Sequence, residues 1–570
     1  MISQQICDIE KEKKMLQYQK AISAAETQAD QIQKTIPEEL FTIHPKILYE
    51  EMPAILEDCE NIQKHILQEI LSLAKGSCYA QDHESFNTEN WQQWRESAEI
   101  TTYKDYQPYI EAEMQGNNGQ LYSGETVVYT ATTGSTGKIK YFLESKAGDK
   151  VKQLVMAVRG MYMSALLPVT LDMEAKNLTI SNYAPVGTNP DGKLIVRASG
   201  QTARNMRKKT GTMNILPVEF WESPGISAKD RDYMMGVYVL SEVRFSKVFC
   251  NNVIHFGRIL DRIIAEGQQM ITDIRNGIFS VDLQPHVREQ LAQTFQANPA
   301  RADYLQKLYE NKGCLITTPE DIAAIWPSFS MISCWLSASV GRDAREVLRR
   351  LPAEIKCFEL GYGASECKLN IPTKLASAAG VAAPFACFYE FRPVGSTELL
   401  CMWEVTQGAY YELIVTTYSG LYRYNMQDIV CVEGFVGKTP QIVFCGKSSE
   451  FMLANGHKIY GYQFAELLHR AERQHQVEFD FVQVYTAGDK FYYVLESKDE
   501  VDFAQLKKDL DNETEKVWGV TSQGIYVMKH SYKNYQFTAR TREDRGACGI
   551  KLPIMVQECP VESEVEKIIL

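Results

Sequence analysis

Hydroxyl, glycine and lysine side chains crowd into one short stretch, TATTGSTGKIKYF, from Thr130 to Phe142. Backbone N–H groups of small residues, flanked by hydroxyls and ammonium groups, can cradle a polyanion. P-loop NTPases use such a cradle. Theirs needs a glycine five residues before the Gly of its Gly-Lys pair and a Ser or Thr after the Lys. Those positions hold Thr132 and Ile139, so the sequence departs from a P-loop at both. Three further stretches carry groups of complementary chemistry. GYGASE ends at Glu366, TTYSGLYRYNMQDIV contains Asp428, and CGKSSEFMLANGHKIYGYQFAE begins at Cys445.

Each stretch suits one part of a nucleoside triphosphate lying beside a carboxylate. Thr132, Thr133, Ser135 and Thr136 can wrap phosphate oxygens, and Gly134 and Gly137 allow close backbone approach. Lys138 and Lys140 add positive charge, with Lys140 a candidate for stabilising charge that develops during reaction. Tyr362 offers a flat face to adenine, and the turn of Gly363, Ala364 and Ser365 can meet the base edge. Glu366 can hold magnesium that bridges phosphates, because a hard cation takes oxygen ligands. Asp428 can accept hydrogen bonds from ribose hydroxyls. The plainer readings are a solvated turn residue for Glu366 and a turn former for Asp428. The order and combination of the stretches favour the chemical readings. Trp335 is a candidate for an acyl pocket, against a default role in the core, and Lys458 is by default a hairpin charge.

The elements that must position these groups are legible in outline. The first hundred residues read mainly as helix. ETVVYTAT from Glu125 and KIKYFLES from Lys138 are expected to be two strands forming a hairpin around the Gly-Ser-Thr loop, whereas a P-loop lysine opens a helix. LTISNYAP and LIVRAS read as strands with the turn NPDG between them. Apolar spacing predicts helix from Lys229 to Asn276 and onward to about Glu310, and TTPEDIAAIW carries a helix start. EIKCFEL is a strand before the GYGASE turn, and short strands follow to Lys447. Beyond it a helix, a hairpin, a second helix and a strand alternate compactly over roughly 120 residues, a normal domain size.

A chain of 570 residues suggests more than one domain. Net charge is -12 and no block of Lys and Arg could track a nucleic-acid backbone, which argues against nucleic acid or an anionic membrane surface as partner. The fourteen cysteines include no C-x-x-C pair, and the nine histidines form no H-E-x-x-H pair, so no disulfide framework or metal cage is readable. MYMSALLPVTL, the longest mostly apolar run, is about half the ~20 residues of a membrane span. The N-terminus carries no apolar signal core. A cytoplasmic, monomeric enzyme is the expectation.

TTGSTGKIK resembles the phosphate loop of the adenylate-forming superfamily, with Ile139 in place of its Pro, and YGASE resembles that superfamily's Tyr-Gly-x-Thr/Ser-Glu segment. ITTYKDYQPYIEAEMQGNNG, IWPSFSMISCW, GYGASE, YELIVTTYSGLYRY and GACGIKLPIMV are together similar to the auxin-responsive Gretchen Hagen family of acyl-acid amido synthetases, in a bacterial-type version. The resemblance runs from about residue 75 to 555. It implies an α/β fold. A large N-terminal adenylation domain of mixed sheets, a β-barrel and helices would span residues 1–445. A smaller mobile α+β domain, residues 446–570, would rotate over the site.

The resemblance further implies ATP and Mg2+ as cofactors, and a small carboxylic acid and an amino acid as substrates. The acid would be activated as an acyl-adenylate and the amine would then form an amide. Transfer to the thiol of coenzyme A or a carrier protein is the alternative within the class. A member that binds without turnover is the alternative outside it. The departures bear on this choice. The family's Tyr-Arg-x-Gly-Asp appears as Tyr424-Asn425-Met426-Gln427-Asp428, Lys447 stands where a Gly-Arg pair begins the hinge, and Ile554 replaces an Arg. Lys551 aligns with a family lysine expected to reach the site as a catalytic group, alongside Glu366 and Lys140.

Overall fold

The structure, a computed structural model, describes residues 43–88, 90–133, 139–167, 175–181, 184–198, 200–201, 213–530, 532–536 and 552–570. The hairpin read from sequence is present. Thr126–Thr133 pairs antiparallel with Ile139–Ser145, with Thr132 opposite Lys140 and Thr133 opposite Ile139. The long helix Lys146–Leu166 begins directly after the second strand. Its first turn is capped by Ser145, whose Oγ accepts from the Gly148 N–H at 2.8 Å and donates to the Tyr418 carbonyl at 2.7 Å. One hydroxyl therefore starts the helix and ties it to the TTYSG turn.

Two sheets form the large part of the chain's scaffold beside this hairpin. One has four strands, all parallel, in the order Lys176–Ile180, Phe245–Cys250, Met331–Cys334 and Lys356–Glu359. The other is a seven-stranded antiparallel sheet built from residues 370–447, whose longest pair is Tyr424–Val436 with Thr439–Lys447. The N-terminal helices from Pro45 to Met114 pack against the seven-stranded sheet in one apolar core, and residues 178–357 form a second. The helix Pro319–Ile325 carries a reciprocal capping box between Thr318 and Asp321 with proline in its first turn, as the TTPEDIAAIW pattern requires.

Residues from Met452 onward make their own apolar cluster, including Phe464, Phe491, Leu506 and Ile525. It is built on the helices Gly461–His475 and Phe503–Trp518 and a five-stranded sheet centred on the hairpin Phe481–Ala487 with Lys490–Glu496. The chain thus has a large N-terminal part and a smaller C-terminal α+β part. No described helix is long and apolar enough to cross a membrane.

One expectation is corrected. The stretch read as continuous helix from Lys229 is two helices, Ala228–Ser241 and Ile254–Asn276, separated by the strand Phe245–Cys250. The strands on either side of the NPDG turn are present as Lys176–Ile180 and Leu194–Val196, and they belong to different sheets. Met331–Cys334, inside a segment read only as a landmark, is a strand with all four residues buried. Short parallel strands covered on both faces have no alternation to distinguish them from helix.

Candidate active site

The hairpin, the long helix, both sheets of the large part and the edge of the small part enclose one cavity of about 1610 Å³. Thr132, Lys140, Tyr362, Gly363, Ala364, Ser365, Glu366, Asp428 and Lys447 all line it. Thr133 ends the first hairpin strand, but its side chain lies outside the described residues, as do Gly134, Ser135, Thr136, Gly137, Lys138 and Lys551. The segment after Lys551 reaches the cavity, since Leu552, Pro553 and Ile554 line it. Trp335 also lines it. Lys458 instead lies over the rings of Phe451 and Tyr460, at 4.1 and 4.8 Å from their centroids, which is the hairpin role.

Tyr362 is fixed on three sides. Its ring stacks on Phe444 with centroids 5.4 Å apart, its N–H donates to Asn370 Oδ1 at 2.7 Å, and its hydroxyl donates to Asp428 Oδ2 at 2.5 Å. Asp428 is buried and ion-paired to Lys447, its cross-strand neighbour in the long antiparallel pair. Burial pulls the Lys447 ammonium down, but Asp428, and then Glu366, outweigh that and hold it above the ordinary lysine value. The backbone before Asp428 takes a left-handed turn at Gln427, with φ 56°. The Gln427 N–H donates to Asn425 Oδ1 at 2.7 Å and its carbonyl accepts from Ser448 at 2.8 Å. The position where the resemblance has glycine thus keeps a glycine-like conformation. Asn425 replaces the family's Arg with a local backbone bond. Arg423 does not substitute for it, being committed to a buried bidentate pair with Glu390 at 2.9 Å.

Glu366 faces the cavity between Lys447 and Lys152. Burial raises its carboxyl above the ordinary glutamate value, with Lys447 opposing the rise and Asp428 adding to it. Among the described residues no other side chain is hydrogen-bonded to it, and no group of three or more His, Cys, Asp and Glu forms a metal cage. A lone carboxylate on a cavity wall suits magnesium, which keeps waters and takes the rest of its shell from phosphate oxygens. The residues present fit that ion.

Sequence reading missed the groups beneath the GYGASE turn. Arg159, buried in the long helix, donates to the carbonyls of Asn370, Leu360 and Tyr362 at 2.8, 3.1 and 2.9 Å. Burial lowers its guanidinium to about 10. Gly361 has φ 90°, and a Cβ there would lie 2.5 Å from Arg159 Cζ, so only glycine fits. Lys152 is ion-paired to the buried Glu144 and donates to the Ser365 carbonyl at 2.7 Å. Lys368 lines the cavity behind Gly363, and burial, helped by the charges of Arg159 and Lys152, lowers its ammonium to about 7. The spacing of these residues in sequence carries no signal, because their shared neighbour is backbone.

Residues 48–344 match the GH3 family N-terminal domain and residues 380–447 the GH3 family central domain. A jasmonoyl–L-amino acid synthetase, GH3.5 of Oryza sativa subsp. japonica, is 21% identical over 71% of this chain and 73% of its own. A probable indole-3-acetic acid-amido synthetase, GH3.1 of Arabidopsis thaliana, is 22% identical over 70% and 69%. The solved structure of the GH3.15 acyl acid amido synthetase in complex with 2,4-DB shares the fold, with a TM-score of 0.76 at 16% identity over 93% of this chain and 98% of that one. With more than half of its residues inside one matched domain and a second following in order, the chain belongs to the GH3 family.

Proposed function

We propose that the protein is an ATP-dependent acid–amino acid ligase whose two half-reactions share the cavity just described. A carboxylate oxygen of the acid attacks the α-phosphorus, an acyl-adenylate forms and pyrophosphate leaves. The amine nitrogen then attacks the activated carbonyl, AMP leaves with the C–O electron pair and the nitrogen loses a proton. Carboxylate is a poor electrophile, and the mixed anhydride supplies its leaving group. One observation carries this reading. Groups from three segments far apart in sequence, Thr132 with Lys140, Tyr362 with Glu366, and Asp428 with Lys447, line one cavity.

In this reading adenine lies on the exposed face of Tyr362, whose other face Phe444 supports. The Asp428 carboxylate has about four lone-pair sites, so bonds from Tyr362 and Lys447 leave acceptor capacity for ribose hydroxyls. Thr132, Thr133, Gly134, Ser135, Thr136, Gly137, Lys138 and Lys140 wrap the phosphates. Glu366 holds magnesium, which when bound neutralises phosphate charge. Lys551 reaches in from the small part. Residues from about 446 onward act as a body that turns between half-reactions, a hinge motion that repacks one interface. The plant relatives' names point to acids joined to amino acids; the acid and amine of this protein are the quantities to determine.

The test is to incubate the full chain with ATP, Mg2+, coenzyme A and mixed pools of acids and amines, then assay pyrophosphate, AMP and products by mass spectrometry. Amide together with stoichiometric AMP and pyrophosphate is the expected result. Thioester formed from coenzyme A in place of amide would reassign the acceptor. Nucleotide binding with no acid-dependent pyrophosphate from any acid would overturn the ligase reading.

A further inference from the structure

Three cations gather on the long-helix side of the cavity, and two of them are already committed. Arg159 spends its donors on three backbone carbonyls. Lys152 is taken by Glu144 and the Ser365 carbonyl. The Lys368 ammonium has neither an ion pair nor a hydrogen bond among the described residues, although the residue lines the same cavity. The acidic groups that could serve it are used elsewhere. Glu144 is held by Lys152 and by Ser419 Oγ at 2.8 Å. Glu359 accepts from the Gly361 and Leu336 N–H groups at 3.0 and 2.6 Å.

The stem of Lys368 has a prepared place. It forms an antiparallel bridge with Gly363, and a Cβ at Gly363 would lie 2.8 Å from Lys368 Cδ and 3.3 Å from Nζ. The absent side chain is the space the lysine occupies. Its charged neighbours are Arg159, Lys152 and Glu144; Glu366 shares Lys152 with it and also faces Lys447 and Asp428. Lys368 thus stands where the GYGASE turn meets the long helix that carries Arg159 and Lys152. The same cavity is lined by Met156, Ala157 and Met163 of the long helix and by Phe358 and Leu360 before the turn, together with the polar Gln153, Thr179 and Ser333. An ammonium that has no partner among the described residues, in a cavity that also presents apolar side chains, is suited to a ligand that is mainly hydrocarbon with one distal anionic group.

We propose that Lys368 is a specificity-determining residue that selects acyl acids carrying a second carboxylate, which it binds while the first is activated. This rests on the ligase reading for the identity of the reacting group. The cation and its surroundings stand independently of that reading. A charge-assisted bond in such a setting is worth tenfold or more in affinity.

The test measures binding to the full chain by calorimetry, without ATP, for succinate, adipate and isophthalate against butyrate, hexanoate and benzoate. The wild-type protein should bind at least one diacid about tenfold or more tightly than its monoacid. K368M should erase that difference and leave monoacid and ATP affinities unchanged, and K368R should keep the preference. Unchanged ATP affinity also reports that the variants are folded. No diacid preference in the wild type, or equal loss of both acid types in K368M, would overturn the proposal. Loss of ATP affinity in K368M with K368R normal would overturn it too, by making the lysine a phosphate ligand. Pyrophosphate and AMP are assayed separately, so Lys368-dependent diacid binding without turnover would sink the ligase reading alone.

Discussion

The cavity has two walls built on different principles. One wall is built on a piece of sheet: Asp428 and Lys447 are cross-strand partners, and Tyr362 is pinned by Asp428, Phe444 and Asn370. The seam between the large and small parts has an ionic stretch along the helix Ala338–Leu348, besides an apolar one where Tyr462 stacks on Tyr410 beside Ile429. Arg342 forms a pair with Glu472 and donates to the Phe479 carbonyl at 2.6 Å, Lys533 pairs with Asp343 and Glu346 at 2.7 and 2.6 Å, and Arg349 pairs with Glu478. Ile254 adds an apolar contact to the small part's cluster. Sheet pairing fixes geometry once, whereas ion pairs between two bodies exchange readily with water and salt. The first construction suits a wall of fixed shape, and the second an interface sensitive to salt.

Four experiments sharpen or break this contrast. The largest effect is expected on the fixed wall. Glu366→Ala should cost ~10²–10³ in the rate of acid-dependent pyrophosphate release, the range for losing one charge-stabilising group. The melting transition should stay put, because no other described side chain leans on Glu366. Wild-type rates in this variant would remove Glu366 from the chemistry.

On the seam, Arg342→Ala leaves Glu472, whose side chain is 6% exposed, without its cation. Breaking such a buried pair costs about 3 kcal/mol. Faster hydrogen exchange across Ala338–Leu348 and Gly461–His475 should report it, with exchange in the seven-stranded sheet unchanged. The surface variant Arg349→Ala, whose partner side chain is 26% exposed, should do far less.

Acid should separate the walls in a defined order. In the metal-free site burial raises the Glu366 carboxyl above its ordinary value, so as pH falls protons compete for it with magnesium before they reach Glu472 and Glu346, and adenylation should fail first. Glu472 and Glu346 are lowered, because the Arg342 and Lys533 charges outweigh the effect of burial. Their contribution is present above the ordinary carboxylate range and is lost only as pH falls through those lowered values. Lys533 is raised and stays charged throughout that window. Activity lost together with seam protection, in a paired titration of rate and hydrogen exchange, would contradict this order.

The smallest effect concerns the left-handed residue beside Asp428. Gln427→Gly removes a conformational cost of about 1 kcal/mol, partly offset by extra freedom in the unfolded chain. A slightly raised denaturant midpoint with an unchanged KM for ATP is expected. A lower midpoint would mean that the Gln427 side chain contributes contacts that outweigh the strain.

Legibility followed the range of the forces involved. The loop hairpin was readable because β-branched runs flank a turn cluster, and the capping box at Thr318 because its partners lie within four residues. The strands Phe245–Cys250 and Met331–Cys334 were not, since burial on both faces erases alternation. Tyr362, Glu366 and Asp428 were found by residue type and order. Arg159, Lys152 and Lys368 were passed over, because a cation that serves backbone carbonyls or waits in a cavity looks like any helical or turn lysine or arginine.

By itself the sequence determined which chemical groups this protein brings to its site and the local elements that carry them, because turns, caps and alternation act between near neighbours. Tertiary structure decided, among the described residues, which cations have partners and which ammonium has none. That follows from desolvation and hydrogen bonding among segments up to hundreds of residues apart, as in the bonds from Arg159 to Asn370 and from Gln63 to Cys387. No local pattern encodes those distances.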